Sequence, residues 1–438
     1  MTSWTNWAGN QAMAPAQVLH PRSADEISRV VKEAGAAGQR VKAIGNGHSF
    51  TGIGLTDGVL LQLDGYDRLL HADRETGRVT VEAGLPLHRL NALLAEQDLG
   101  LTNMGDIDVQ TVAGALSTGT HGTGRTSAAL AAQVVALELV LADGSVVSCS
   151  PDERPELFEM ARLGLGALGV LSTVTFQAEA AFALHADERP MPLDEVLEGF
   201  HELVADNDHF EFYWFPHTRL ALTKRNNRVD GPLEPLSRTR AWVDDELLSN
   251  GVFELTCRLG ALMPRVIPTV NRLAARALTA RAYTDLAPHV FTSPRRVRFC
   301  EMEYAVPRAD LPDIIRELTV IPERLGERVS FPVEVRVAPA DDVPTGGRVP
   351  MSTASGRDSA YVAVHVYRGT SYERYFSAVE SLMQTVAGRP HWGKLHTLSA
   401  DVLATRYPRF TDFQAVRRDV DPEGLFSNCY LDRVLGPV

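Results

Sequence analysis

Lysine is nearly missing from this chain: of its 43 basic residues only Lys32, Lys42, Lys224 and Lys394 are lysine. The bias suits a GC-rich genome, and it makes a lysine inside a dense motif more informative than usual. Cysteine is sparse as well, with Cys149, Cys257, Cys300 and Cys429 widely scattered. No CxxC or Cys/His spacing joins them, which argues against a disulfide framework or a metal site. No run approaches the roughly 18 apolar residues of a membrane span. Residues 1–7 also lack the basic and apolar regions of a signal peptide. A cytoplasmic protein is expected. Excess positive charge is missing too, since the net charge is −12, and that argues against non-specific binding to nucleic acid or anionic lipid. Neutral or small anionic partners remain.

Two nucleotide-binding signatures are also absent. Gly45-x-Gly47 would need a third glycine where Phe50 stands, and no GxGxxG opens a helix. No GxxxxGK[ST] loop occurs either. A phosphate-bearing cofactor would need a different architecture.

A length of 438 residues suggests two or three domains, because single cores rarely grow beyond about 250–300 residues. Up to about residue 180 helices and strands alternate. Ser23 offers an N-cap to a helix reaching Ala37, with Gly38 to end it. Strands are expected over 40–44, 58–63, 78–84 and 171–176, and Pro86 opens a second helix. Beyond residue 180 the texture changes. Alternating or apolar strands at 209–215, 299–306, 331–337 and 361–367 fit an antiparallel α+β domain. The stretch 229–296 is helix-like and arginine-rich, without further assignment, and 338–358 reads as a loop.

Three glycine-rich segments lie in the first half: 44–52, 112–124 and 163–170. Small residues expose backbone N–H groups, so three such loops imply a long polyanionic ligand lying against backbone. His48 stands at the edge of the first loop. It could pack, bind, or bond covalently to a cofactor through a neutral imidazole. His121, in the second loop, is read as shaping it.

Glu334 and Arg336 lie two apart on a strand and so share a face. They form either a solvent-facing ion pair or a grip on a polyhydroxylated ligand. The segment Arg389-Pro390-His391-Trp392-Gly393-Lys394-Leu395-His396 concentrates catalytic residue types around one of the four lysines. A lysine there can stabilise a developing alkoxide or flavin anion. His365, mid-strand, reads as a structural hydrogen-bonding residue.

Taken together, Gly45-x-Gly47-His48-Ser49-Phe50, the run from Val112 to Gly124, Leu165 to Val170, Glu334-Val335-Arg336 and His391-Trp392-Gly393-Lys394 resemble a known group. It is the aldonolactone oxidase and dehydrogenase group of the vanillyl-alcohol-oxidase flavoprotein superfamily, which includes gulonolactone, arabinonolactone and alditol oxidases. The resemblance implies an α+β protein with a two-lobed, PCMH-type FAD-binding domain and an α+β cap domain built on an antiparallel sheet. The FAD domain would comprise residues 1–178, completed by 395–438, and the cap 179–394.

The resemblance further implies FAD joined through His48, oxidation of a sugar 1,4-lactone, and reoxidation by dioxygen or another acceptor. Alditol oxidation is the alternative. Cofactor contacts would come from Ile44, Gly45, Asn46, Gly47, His48, Ser49, Gly105, Thr111, Gly114, Ser117, Thr118, Gly119, His121, Val170 and His391. Glu334, Arg336, Lys394 and Asp106 would surround the substrate. Two positions depart from the alditol oxidases: Asp106 replaces a serine and Ser355 a tyrosine. Gly105 is the residue type that accompanies oxygen use among relatives.

Overall fold

In this computed structural model residues 3–343 and 347–438 are described. Of the expected loop at 338–358, residues 344–346 therefore lie outside the description. Among the described residues no helix is long and apolar enough to cross a membrane.

The first layer is a three-stranded parallel sheet in the order Gln17–Leu19, Val59–Gln62, Val41–Ile44. A parallel arrangement needs a covered face. The helix Ala24–Ala36 supplies it, burying Ile27, Val30, Val31 and Ala34 at helical spacing. Ser23 caps that helix by accepting from the Glu26 N–H at 3.2 Å, as expected. A five-stranded antiparallel sheet follows, in the order 146–149, 134–140, 170–177, 78–82, 69–72.

The largest sheet has eight strands, Arg281–Leu286, Ala183–Pro192, Leu220–Val229, His209–Trp214, Val333–Ala338, Ser359–Tyr367, Phe299–Pro307 and Arg389–Pro390. Every neighbouring pair is antiparallel. Strand alternation divides its central strands between two faces. Phe210, Phe212, Val333, Val335, Val337, Met302, Tyr304, Val362 and Val364 join one hydrophobic core with the helices Leu311–Leu325 and Glu373–Thr385. The opposite face carries Glu211, Tyr213, Glu334, Arg336, Glu301, Glu303 and His365, and these are buried as well. A buried polar face must find partners. It finds one in the second glycine loop, where His121 Nε2 lies 2.7 Å from Glu303, and the same loop is held to the sheet by Gly124 N–H donating to the Val337 carbonyl at 2.8 Å.

The end of the chain returns to the first layer. Asn428 caps the helix Cys429–Leu435 by accepting from Leu431 N–H at 2.9 Å. Its Nδ2 also lies within 3.0 Å of the carbonyls of Gly52, Ile53 and Leu55. One side chain thus ties the chain terminus to the loop that follows His48. Asn428→Ala is expected to cost about 2–4 kcal/mol, the sum of a lost cap and buried carbonyls left without donors. Urea unfolding of the variant measures it, and a loss under about 0.5 kcal/mol, the range of ordinary surface changes, would contradict the assignment.

Candidate active site

The strand Val41–Ile44 ends in the turn Gly45–Ser49, and the helix Val112–Thr118 begins opposite it. Thr111 caps this helix, its Oγ1 accepting from Gly114 N–H at 3.2 Å. The approach of the two elements requires glycine. A Cβ on Gly45 would stand 2.2 Å from Thr111 Oγ1, and Gly47 has φ +69° with Trp4 2.7 Å from a Cβ there. Between them runs a cleft of about 990 Å³, lined by Lys42, Ile44, Gly45, Asn46, Gly47, His48, Ser49, Thr111, Gly114, Ser117, Thr118 and Val170. Its backbone-rich walls and the helix N-terminus suit an extended ligand carrying phosphates.

His48, Ser49, Gln110 and Thr118 also line a second chamber of about 590 Å³. Its remaining walls include Trp7, Gly105, Asp106, His121, Glu301, Glu303, Arg336, His391 and Lys394. The sequence-predicted residues therefore divide between two adjoining spaces with His48 at the junction. Two of them line neither. Gly119 has φ +82° and ends the helix 112–118, while Glu334 lies behind Arg336 and pairs with its guanidinium. Ser355 is buried in a turn where its carbonyl accepts from Arg389 at 2.8 Å, apart from the chamber.

Two charge clusters occupy the polar sheet face. In the first, Arg336 reaches Asp106 at 3.2 Å, Glu211 at 3.0 Å and Glu334. Asp106 also accepts from Arg295 at 2.7 Å, and Tyr213 donates to Glu334 at 2.9 Å. Burial alone would raise the Asp106 pKa, but Arg336 and Arg295 overcome it and hold the carboxyl below its ordinary range. Glu334 differs, because burial wins over Arg336 and raises its pKa.

The second cluster holds Lys394 against Glu301, and Glu301 lies 3.3 Å from His365. Burial opposes charging of Lys394, but Glu301 and Glu303 outweigh it and raise its pKa. The lysine is therefore a cation at neutral pH. Glu303 pairs with His121 Nε2 at 2.7 Å, and His121 stacks on Tyr361 with ring centroids 3.5 Å apart. His391 Nδ1 accepts from Gly393 N–H at 3.1 Å.

His48 stacks on Trp7 at 5.3 Å. Burial, with help from the Lys394 cation, lowers its pKa to about 4. Its imidazole is neutral at pH 7, the form able to act as a nucleophile.

Sequence reasoning missed Glu211, Tyr213, Arg295, Glu301 and Glu303. The spacing of two that picked out Glu334 and Arg336 also holds for Glu301 and Glu303, so that pair was open to the same argument. Arg295 had no comparable signal.

A glycine-lined cleft meeting a chamber of paired charges suits an oxidoreductase with an extended phosphate-bearing cofactor, and comparison with known proteins makes it a flavin-dependent one. Residues 15–150 match the family described as FAD binding domain, and residues 174–434 match the family described as D-arabinono-1,4-lactone oxidase. The chain is 43% identical to L-gulono-1,4-lactone dehydrogenase of Mycobacterium tuberculosis over 434 residues, covering 99% of each chain. Against L-gulonolactone oxidase of Bos taurus the identity is 33%, covering 98% and 97%. A solved structure, a solvent-stable cholesterol oxidase, shares the fold with a TM-score of 0.80 at 20% identity, covering 99% and 97%. The chain belongs to the D-arabinono-1,4-lactone oxidase family and uses FAD.

Burial also lowers the pKa of His391 from 6.5 to about 4. The unfolded chain takes up this proton first, so the stability it contributes is present above pH 6.5 and is lost as pH falls toward 4. Through His391 alone, folding is expected to weaken by about 2 kcal/mol between pH 7 and pH 5. Urea unfolding at both pH values should show that much less pH dependence in His391→Gln. An unchanged slope would refute the assignment.

Proposed function

We propose that the chain oxidises a sugar 1,4-lactone of the gulono-, arabinono- or galactono- type, passing hydride from a substrate C–H to FAD seated in the glycine-lined cleft. The observation that carries this reading is that two cations, Arg336 and Lys394, face one small chamber whose border with the cofactor cleft is His48. FAD supplies the hydride acceptor. The protein's task is to polarise the substrate hydroxyl as its C–H bond breaks.

Lys394 and Arg336 perform that task as fixed positive charges that stabilise a developing alkoxide. Neither is a base, because neighbouring carboxylates raise both pKa values despite burial. Glu334 fixes Arg336 and is proposed to accept a substrate hydrogen bond. Asp106, tied to Arg336 and Arg295, brings a carboxylate to the chamber wall, and this supports a lactone over an open-chain alditol. The names of the relatives point the same way.

The FAD-binding part is proposed to comprise residues 1–178 with 395–438, and 179–394 to form the cap. Cysteines 149, 257, 300 and 429 are all free thiols, which suits the reducing cytoplasm. The electron acceptor is dioxygen or another oxidant, and reoxidation of the reduced protein in air-saturated buffer distinguishes the two.

Lys394→Met removes the charge at similar length. Turnover on lactones should fall by about a hundredfold or more, as for other lost electrostatic stabilisers, while the bound flavin keeps its colour. Turnover within threefold of the parent would refute the assignment. His48 is proposed to bond the flavin covalently. Acid-precipitated protein should then stay yellow and fluoresce in a denaturing gel, and His48→Ala should release the flavin. Colour lost from the parent on precipitation would exclude the bond.

A further inference from the structure

Hydride transfer carries away the C–H hydrogen with its electron pair, so each carbonyl formed leaves one hydroxyl proton to be exported. The substrate itself occupies the chamber in which that proton is released. Export therefore falls to side chains that line the chamber and can both take up and give up a proton.

Much of the buried charge is closed to that traffic. Asp106 lines the chamber but pairs with Arg336 and Arg295, and arginine does not give up its proton. Glu303 leads to His121 Nε2 at 2.7 Å, where the other ring nitrogen meets the Gly122 carbonyl at 2.9 Å and Tyr361 covers the ring face. His391 Nδ1 faces the Gly393 backbone N–H.

Lys394 opens a different route. It pairs with Glu301, both lining the chamber, and Glu301 Oε1 lies 3.3 Å from His365 Nε2. Glu301 and His365 stand opposite one another on the neighbouring strands Phe299–Pro307 and Ser359–Tyr367. His365 Nδ1 lies 3.2 Å from the Pro332 carbonyl, which can only accept. The hydrogen of the neutral ring therefore sits on Nδ1, and Nε2 presents its lone pair to Glu301. Phe299 and Phe331 flank the ring, and Glu301 is the charged group that its nitrogens meet.

His365 also lines a second cavity, of about 680 Å³, against the helices Phe253–Leu262 and Ile267–Ala277. No lining residue is shared with the chamber, and Gly326, Arg328 and Thr370 stand exposed at its rim. Its wall includes Ser330 and Tyr375, whose buried hydroxyl has no partner among the described residues. A polar wall of this kind suits water. The carboxylate between Lys394 and His365 is thus the link between two separate spaces.

We propose that Lys394, Glu301 and His365 form a proton exit that carries the substrate hydroxyl proton from the chamber to this outer cavity. The inference rests on the oxidation proposed above. Lys394 passes one of its ammonium protons to Glu301 as it takes the hydroxyl proton, so it remains a fixed cation throughout. Glu301 hands the proton to His365 Nε2, and the ring releases one from Nδ1 to cavity water. The substrate O–H and C–H bonds break, the C=O bond forms, the electron pair leaves with the hydride, and one proton reaches solvent. His365 lines neither the chamber nor the cofactor cleft and acts through Glu301, as a positioning residue.

Anaerobic single turnover of the flavin-loaded protein with a lactone, in weak buffer containing a pH-indicator dye, tests the exit. Flavin absorbance reads hydride transfer and the dye reads the proton arriving in solvent. In the parent the two traces should coincide. His365→Gln keeps a hydrogen-bonding group beside Glu301 but carries no proton, so proton arrival should slow by roughly tenfold or more, less than a side chain in direct proton transfer contributes. Its melting temperature and lactone affinity should stay near the parent's, and added imidazole should restore the rate, which a merely structural role would not allow. Thr370→Trp narrows the cavity mouth without touching the three side chains and should delay the dye signal in the same direction. Traces like the parent's in folded His365→Gln, or in Thr370→Trp where the glutamine variant does not fold, overturn the proposal. A parent whose flavin no lactone reduces overturns the oxidation and the exit with it, a result distinct from the first because it precedes any substitution.

Discussion

Arg336 sits where the sheet would otherwise be dry, and the rest of the site is arranged around keeping it charged. A buried cation without partners is unaffordable, so Asp106, Glu211 and Glu334 converge on it. Three carboxylates on one guanidinium overshoot, and Arg295 and Lys224 restore the balance at Asp106 and Glu211. Removing any member leaves an uncompensated charge, a loss of about 3–5 kcal/mol in comparable clusters. An apolar replacement of the whole set would serve stability as well or better. Its retention is understandable only through the chamber it borders.

The same logic links the second cluster to the cofactor edge. Lys394 is kept protonated by Glu301 and Glu303, and that fixed charge is one reason why His48 stays neutral. One cation thus lines the chamber and conditions the histidine. Trp7, stacked on His48 and set edge-on to Phe299, lines the chamber beside that histidine.

Much of this was legible in the sequence, for a physical reason. Glycine loops report backbone approach, and alternation of two reports a shared strand face, so Gly45, Gly47, Glu334 and Arg336 declared themselves locally. The pairings of Asp106 with Arg295, 189 positions apart, and of His121 with Glu303, 182 apart, did not. Long-range pairing leaves no local periodicity. Glu301 and Glu303 lay within Phe299–Val306, a run apolar enough to read as an ordinary core strand. The helices 253–277 resisted placement for another reason: their leucines stand on the outer side while small or polar residues such as Gly260 and Asn271 stand on the inner, so hydrophobic spacing points to the wrong face.

Asp106 shows what the assembled structure adds. Its side chain joins Arg336 and Arg295, and its backbone carbonyl accepts from Ser293 N–H at 3.1 Å. The segment bearing Ser293 and Arg295 is held in turn by Asn250, which donates to the Pro294 carbonyl at 3.0 Å and accepts from Arg296 N–H at 2.8 Å. The helical excursion is therefore fastened to the chamber wall through Asp106. A side chain without charge at 106 would leave Arg336 to Glu211 and Glu334 but take the carboxylate from Arg295, so one carboxylate joins the chamber wall to the seating of the excursion.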